Sequence, residues 1–550
     1  MKKIRLICLL MACFLTMSIV GGCRGGGGTQ IDETRSQLNI GILNDGVGSG
    51  FADELIKDFE EYYAETSFED GKMGVEVIPE AKKDPFLAGT LETSMPFSEN
   101  TLWFAEINYT SFVNKGLIID ISKTVNEKVY DEDGELAEKT GKPAKQSIVD
   151  TMYPEYKDTF KTNDDKYYAI PFRFYFTGIT YDADLINNNN LYFLKNGSIG
   201  GNANMVAQGN CSTGPDGIMG TSDDGMPNTW NDFIKWIDAM VGKQITPFTW
   251  SGTTDYQRRM AYRYIWANYE GANDYMLNYT FNGVDSQFGQ ITDANYPTLI
   301  GQNGRKAGIK AAKDITSKSK YYSTLADKQT YTEAQEEYAY SVMTDNKIAM
   351  FFEGSYWESE AKGTFDKMPS ELGYGKRNFK WLPVPNFIGV DGVPDQTKAM
   401  NDRVLDASSA YEYGVYISAK NTCKNYDTQV KIAKLFLQFA QQRSQLVKFV
   451  KNTGCTWRPY NFTVKESELN EWTGIAKSIY KFIEEGATVV SSFPYSEVRK
   501  LSGDRFSEGA WDFAYTLYSE PFAYFMNVPN RSVEQCYTDM FNTLTNNFKV

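Results

Sequence analysis

Residues 38–78 restrict the architecture more than any other stretch of the chain. Leu38-Asn39-Ile40-Gly41-Ile42-Leu43 has the length and apolarity of a strand, and Asn44-Asp45-Gly46-Val47-Gly48-Ser49-Gly50 is rich in turn formers. Phe51, Leu55, Ile56, Phe59, Tyr62 and Tyr63 then recur with the period of one helical face, and Val75, Val77 and Ile78 supply a second short strand. Strand, helix and strand with short connections make a βαβ unit, which implies a parallel sheet covered by helices. Leu102-Trp103-Phe104-Ala105 adds another strand, followed by a helix over residues 109–115. The fold class expected is α/β. With 550 residues the chain exceeds what one hydrophobic core organises, so at least two domains are expected.

The amino-terminal residues speak to location. Lys2, Lys3 and Arg5 precede an apolar run over residues 6–20, and Val20-Gly21-Gly22-Cys23 follows. A basic start, an apolar stretch of this length and small residues before a cut describe an export signal over residues 1–22 rather than a spanning helix. The Gly-Gly-Cys junction resembles a bacterial lipobox, which implies a lipoprotein acylated at Cys23 (a palmitate-type modification) and held on the extracytoplasmic face of the cell membrane. An uncleaved signal anchor is the alternative. Two acyl chains hold stably where one is marginal. Residues 23–35, with Arg24-Gly25-Gly26-Gly27-Gly28, read as the lipidated cysteine and a flexible tether.

Removing residues 1–22 takes away three basic residues and no acidic one, so the formal charge moves from −14 to −17. Such an acidic body argues against nucleic acid and against a polybasic grip on lipid. The chain has no histidine. That removes Ser-His-Asp and Cys-His nucleophile systems and His-ligated zinc, and leaves enzymes that work with two carboxylates, such as glycosidases. Besides Cys23 the mature chain keeps Cys211, Cys423, Cys455 and Cys536, whose spacing fits no metal pattern and leaves any disulfide pairing open. Much of the 36 Tyr and 34 Phe is core and interface packing, but the number also allows a cleft lined with rings.

Tyr167-Tyr168-Ala169-Ile170-Pro171-Phe172 and Gly178-Ile179-Thr180-Tyr181-Asp182 resemble the interlobe crossover strand of family 1 extracellular solute-binding proteins, the maltose-binding-protein type. Ile245-Thr246-Pro247-Phe248-Thr249-Trp250-Ser251-Gly252 and Tyr269-Glu270-Gly271 resemble a further segment of that family. Lys347-Ile348-Ala349-Met350-Phe351-Phe352-Glu353-Gly354-Ser355-Tyr356-Trp357 resembles its strand and turn, with Asn346 before the lysine where the family carries glycine. Trp381-Leu382-Pro383, a second crossover at residues 413–418, a helix over 428–451 ending in Thr453-Gly454-Cys455-Thr456-Trp457-Arg458-Pro459, and Ser532-Val533-Glu534 continue the series in the family's order. The resemblance implies a type II periplasmic-binding-protein-like fold: a first lobe from residues 36–172 plus 412–460, a second from 173–411 plus 461–550, and a ligand cleft at the hinge between them. It further implies the substrate-binding subunit of an ABC importer, monomeric and without enzymatic activity. That subunit would capture a carbohydrate, in the fuller reading an oligosaccharide, and deliver it to permease subunits. A surface glycan-binding or sensor-partner protein, or a carboxylate-dependent glycosidase, is the alternative. Extra length falls near 124–165, 186–228, 272–300 and 362–408.

A sugar offers C–H faces to flat rings and hydroxyls to carboxylates, amides and guanidinium groups. On the resemblance and on position after strands, the expected ligand residues are Trp357 with flanking Glu353 and Glu358, Trp250, Trp457 with Arg458, Trp103 with Glu106, and Asn44 with Asp45. No cofactor is required. Asp216, Asp223 and Asp224, set among glycines, suit calcium or a solvated turn; Pro227 stands where an EF-hand places its bidentate glutamate.

Overall fold

The computed structural model describes residues 31–158, 160–162, 164–281, 288–292, 294–408, 411–419, 421–492, 511–513 and 518–547. The expected signal segment, Cys23 and the tether through Gln30 lie outside the described residues. Among the described residues the strands are β1 (Ser36–Leu43), β2 (Val75–Lys82), β3 (Leu102–Glu106), β4 (Ala169–Pro171), β5 (Tyr175–Asp182) and a hairpin of β6 (Tyr192–Phe193) and β7 (Ile199–Gly201). They continue as β8 (Ile245–Thr249), β9 (Lys347–Gly354), β10 (Phe379–Trp381), β11 (Val404–Ser408), β12 (Tyr413–Ile417) and β13 (Thr488–Ser491).

Two sheets organise two lobes. The first has the order β2-β1-β3-β12-β4, with β1 parallel to both β2 and β3 and β12 antiparallel to its neighbours. The helix Phe51–Tyr62 connects β1 to β2 and buries Phe51, Leu55 and Phe59. Phe59 packs on Phe436 and Phe439 of the helix Tyr426–Ala440, at ring separations of 4.7 and 5.4 Å. On the other face Trp103 lies against Gly41: a Cβ there would sit 2.4 Å from the indole ring, so β1 needs glycine at that point.

The second sheet runs β13-β11-β5-β9-β8, with β10 also paired to β5. Beside it the helix Tyr256–Glu270 is buried for nearly its whole length, polar residues included. Its Arg258 pairs with Glu520 at 2.7 Å, and Arg263 lies 3.7 Å from Asp406 and 3.6 Å from Asp512. Buried charges are tolerated when paired in this way, and the pairing fixes where the helix begins.

The chain passes between the sheets at residues 172–174, between β11 and β12, and again after Trp457. These passages run side by side. The Phe172 amide donates to the Tyr413 carbonyl at 3.0 Å, and Phe174 and Trp457 exchange backbone bonds of 2.8 and 2.9 Å. The expected single crossover strand is therefore two strands, β4 and β5, because its middle bonds to the other crossings instead of to either sheet. The helix expected over 428–451 is likewise two, Tyr426–Ala440 and Arg443–Thr453. It breaks at Gln442, whose backbone is extended, where the Arg443 amide donates to the Gly134 carbonyl at 2.8 Å. Cys211, Cys423, Cys455 and Cys536 are free thiols. No helix among the described residues is long and apolar enough to cross a membrane.

Candidate functional site

The expected tryptophans sit in cores. Trp357 is 0% exposed and enclosed by Phe379, Tyr338, Phe351 and Phe365 at ring separations of 4.9, 5.2, 5.5 and 5.8 Å. Trp250 is fully buried and stacked on Phe352 at 5.1 Å. Trp457 fills the base of the hinge, 5.4 Å from Trp472 and 5.9 Å from Phe176. Arg458 closes a helix end: its Nη1 donates to the Ala440 carbonyl at 2.7 Å and its guanidinium lies 4.4 Å from the Phe449 ring. Burial pushes it down to about 10. In each case a flat, largely apolar side chain gains more from full burial than a rim position gives it.

Trp103 is also buried. It lines an open pocket of about 510 Å³ with Asn39, Ile78, Glu80, Lys82 and Asn100, a wall drawn from the first lobe alone. Glu106 is half-buried and accepts from the Ala88 amide at 3.1 Å, which starts the helix Ala88–Ser94. Glu358 accepts from the Gly375 amide at 2.9 Å, and burial pushes it up to about 7. Asn44 is half-buried at the end of β1, its amide donating to the Lys82 carbonyl at 2.9 Å.

The acidic loop, expected to suit calcium or a solvated turn, holds a cation of the chain itself. Arg403 places one guanidinium nitrogen 2.6 Å from Asp216 and 2.6 Å from Asp223, and the other 3.0 Å from Glu485. The Gly220 amide donates to Asp224 at 2.7 Å. The positive charge these carboxylates need comes from the chain itself. No group of three or more His, Cys, Asp or Glu among the described residues is arranged to hold a metal ion.

What the fold does bring together lies where the crossings meet the ends of β1 and β9. Arg173, between β4 and β5, pairs with Asp45 of the loop after β1, and its guanidinium stacks 4.4 Å from the ring of Tyr413 on the second crossing. Tyr175 begins β5; its hydroxyl is 2.7 Å from that of Tyr256, and its ring meets Tyr356 edge-on at 4.6 Å. The Tyr356 hydroxyl lies 3.4 Å from Glu353 at the end of β9, and Glu353 also accepts from Gln257 and from the Gly354 amide. Gln335 donates to Glu360 at 2.7 Å, and a Cβ on Gly46 of the β1 loop would meet the same Glu360 carboxylate at 2.3 Å. First-lobe and second-lobe residues therefore touch here.

Tyr175, Tyr256, Tyr356 and Tyr413 are half-buried, in contrast to the sealed tryptophans. Burial pushes the carboxyl of Glu353 up to about 8, with Glu360 adding to it. Glu360 is raised too, by burial and then by the facing Asp45. Of the expected residues, Glu353 and Asp45 belong to this cluster. The four tyrosines, Arg173 and Glu360 were missed. A signal was present for Tyr175: Phe174-Tyr175-Phe176 alternates two sealed rings with one that carries a hydroxyl, and a hydroxyl in an apolar run asks for a polar partner.

No family model matches the chain, and no curated protein matches it. Among solved structures it is similar to a "probable secreted solute-binding lipoprotein" from Streptomyces coelicolor, with 12% identity and a TM-score of 0.52 over 93% of this chain and 99% of that one. A protein from work on xylan utilization by Caldanaerobius polysaccharolyticus gives 15% and 0.51 over 92% and 99%. The solute-binding protein RafE, solved with raffinose, gives 15% and 0.50 over 93% and 99%. At such identities the likeness is one of fold: this chain has the two-lobe α/β fold of these solute-binding proteins.

Proposed function

We propose that the protein is the substrate-binding lipoprotein of an ABC importer, which captures a carbohydrate between its lobes and delivers it to permease subunits. One observation carries the reading: half-buried rings and hydrogen-bonding groups from both lobes converge at the hinge. Tyr175, Tyr256, Tyr356 and Tyr413 offer faces to pyranose C–H groups, while Asp45, Arg173, Glu353 and Glu360 offer partners to hydroxyls. Closure of two lobes about a hinge encloses a ligand that both touch. The likeness of its fold to RafE bound to raffinose and to a probable secreted solute-binding lipoprotein supports the same direction.

The reading extends to a monomer anchored through Cys23 at the outer face of the membrane, without enzymatic activity. The Gly21-Gly22-Cys23 junction and the missing histidine support those points. Titration calorimetry against a panel of mono- and oligosaccharides tests the core claim. Saturable binding without turnover of the sugar is expected, and hydrolysis or absence of binding across the panel overturns it. Changing Cys23 to Ser is expected to release the protein from the membrane or leave its signal uncut; unaltered retention with normal cleavage refutes the anchor.

A further inference from the structure

The cluster at the hinge has a charge imbalance that the rest of the fold avoids. Asp45, Glu353 and Glu360 converge on it, and the buried cation among them is Arg173, already committed to Asp45 and to the Tyr413 face. Gln257 and Gln335, the amides that donate to Glu353 and Glu360, are neutral. The exposed Lys83 of the first lobe draws Glu360 the other way, by less than Asp45 pushes it. Elsewhere in the second lobe, carboxylates that meet have a guanidinium between them, as Asp216 and Asp223 have Arg403 and as Asp406 and Asp512 have Arg263. Between Glu353 and Glu360 the described residues put no such group. A second observation is independent of the acids: Nη1 of Arg173 is sealed from solvent and has no hydrogen-bond partner among the described residues, Nη2 being the atom that bonds to Asp45. A buried donor without an acceptor is costly, so the site lacks a partner oxygen as well as a cation.

Resting on the carbohydrate reading above, we infer that the ligand is a cationic sugar, a saccharide that carries a free amine. Its ammonium group has the three N–H donors that Glu353 and Glu360 can accept, and Tyr356, whose hydroxyl lies 3.4 Å from Glu353 and whose ring packs edge-on with Tyr175, brings aromatic rings near for cation–π attraction. A hydroxyl or ring oxygen of the same sugar gives Arg173 its missing acceptor. Burial raises Glu353 and Glu360 and the crowding of carboxylates adds to it; a positive charge entering between them relieves the crowding.

The test compares sugars that differ by amine for hydroxyl at one carbon: glucosamine against glucose, galactosamine against galactose, and deacetylated chito-oligosaccharides against cello-oligosaccharides of equal length. In calorimetric titrations of the full mature chain, the amine member of the bound pair is expected to bind about tenfold tighter or more. Glu360→Gln is expected to collapse that ratio toward one, and Glu360→Lys, which supplies the cation from the protein, to reverse it. Equal or tighter binding of the neutral member overturns the inference and leaves the carbohydrate reading in place. An amine preference that survives both substitutions overturns the assignment to Glu360. Binding of simple polyamines such as spermidine, with no sugar of either kind bound, overturns the carbohydrate reading itself.

Discussion

The tryptophans of this chain and the tyrosines of its hinge are both abundant, flat and aromatic, yet the fold treats them oppositely. Trp250, Trp357 and Trp457 are sealed among other rings, and the indole N–H of Trp250 and of Trp357 is left without a partner. Tyr175, Tyr256, Tyr356 and Tyr413 stay half-exposed where the lobes meet, two of them joined through their hydroxyls. The difference teaches that ring area alone does not mark a binding surface. An indole offers one weak polar handle on a large apolar body, so burial wins even with its N–H unsatisfied. A phenol carries a hydroxyl that both donates and accepts, which is most useful at a boundary between core and solvent.

That contrast can be broken at its strongest point first. Trp357→Ala is expected to cost about 3–5 kcal/mol of stability, as truncation of a core ring does, and thermal melts should show a large fall in midpoint. A normal melt combined with lost sugar affinity would move Trp357 to the cleft. Tyr413→Ala is expected to behave the other way, with a small change in melting and an affinity loss of about ten- to a thousandfold for the cognate sugar. Unchanged affinity would remove the tyrosines from the site.

A smaller effect separates the two buried glutamates by role. Glu358 is raised by burial from 4.5 to about 7, so between those values the folded protein keeps a proton that the unfolded chain has lost. Its contribution to stability therefore falls as pH rises through that window. Glu358→Gln should flatten the pH dependence of urea unfolding measured on either side of it, without changing sugar affinity; an unchanged slope would contradict the burial of the carboxyl. The smallest effect concerns the acidic loop. Calcium added to chelator-treated protein is expected to leave the melting midpoint where it was, because Arg403 already neutralises Asp216 and Asp223. A rise with calcium would reinstate the ion.

Much of the fold was legible because it rests on local pattern. The apolar run of β1, the 3.6-residue period from Phe51 to Tyr62 and the turn residues between them specify a βαβ unit without help from elsewhere. Differences arose where a segment answers to distant partners. The crossover splits over residues 172–174 because Phe172 bonds to Tyr413 and Phe174 to Trp457, and the long helix breaks at Gln442 because Gly134 takes the next amide. Nothing within ten residues of either point announces the partner.

The same division holds for the site. By itself the sequence determined the α/β class, the absence of imidazole chemistry and the acidic body, since each follows from composition or short-range order. Only the tertiary structure decided which rings are sealed in the cores and which stay partly exposed where the lobes meet. It also decided that Arg403 fills the acidic loop, and that Asp45, 128 residues before Arg173, is its partner. Burial and charge compensation are properties of neighbours in space, and residues this far apart along the chain become neighbours only when the chain folds.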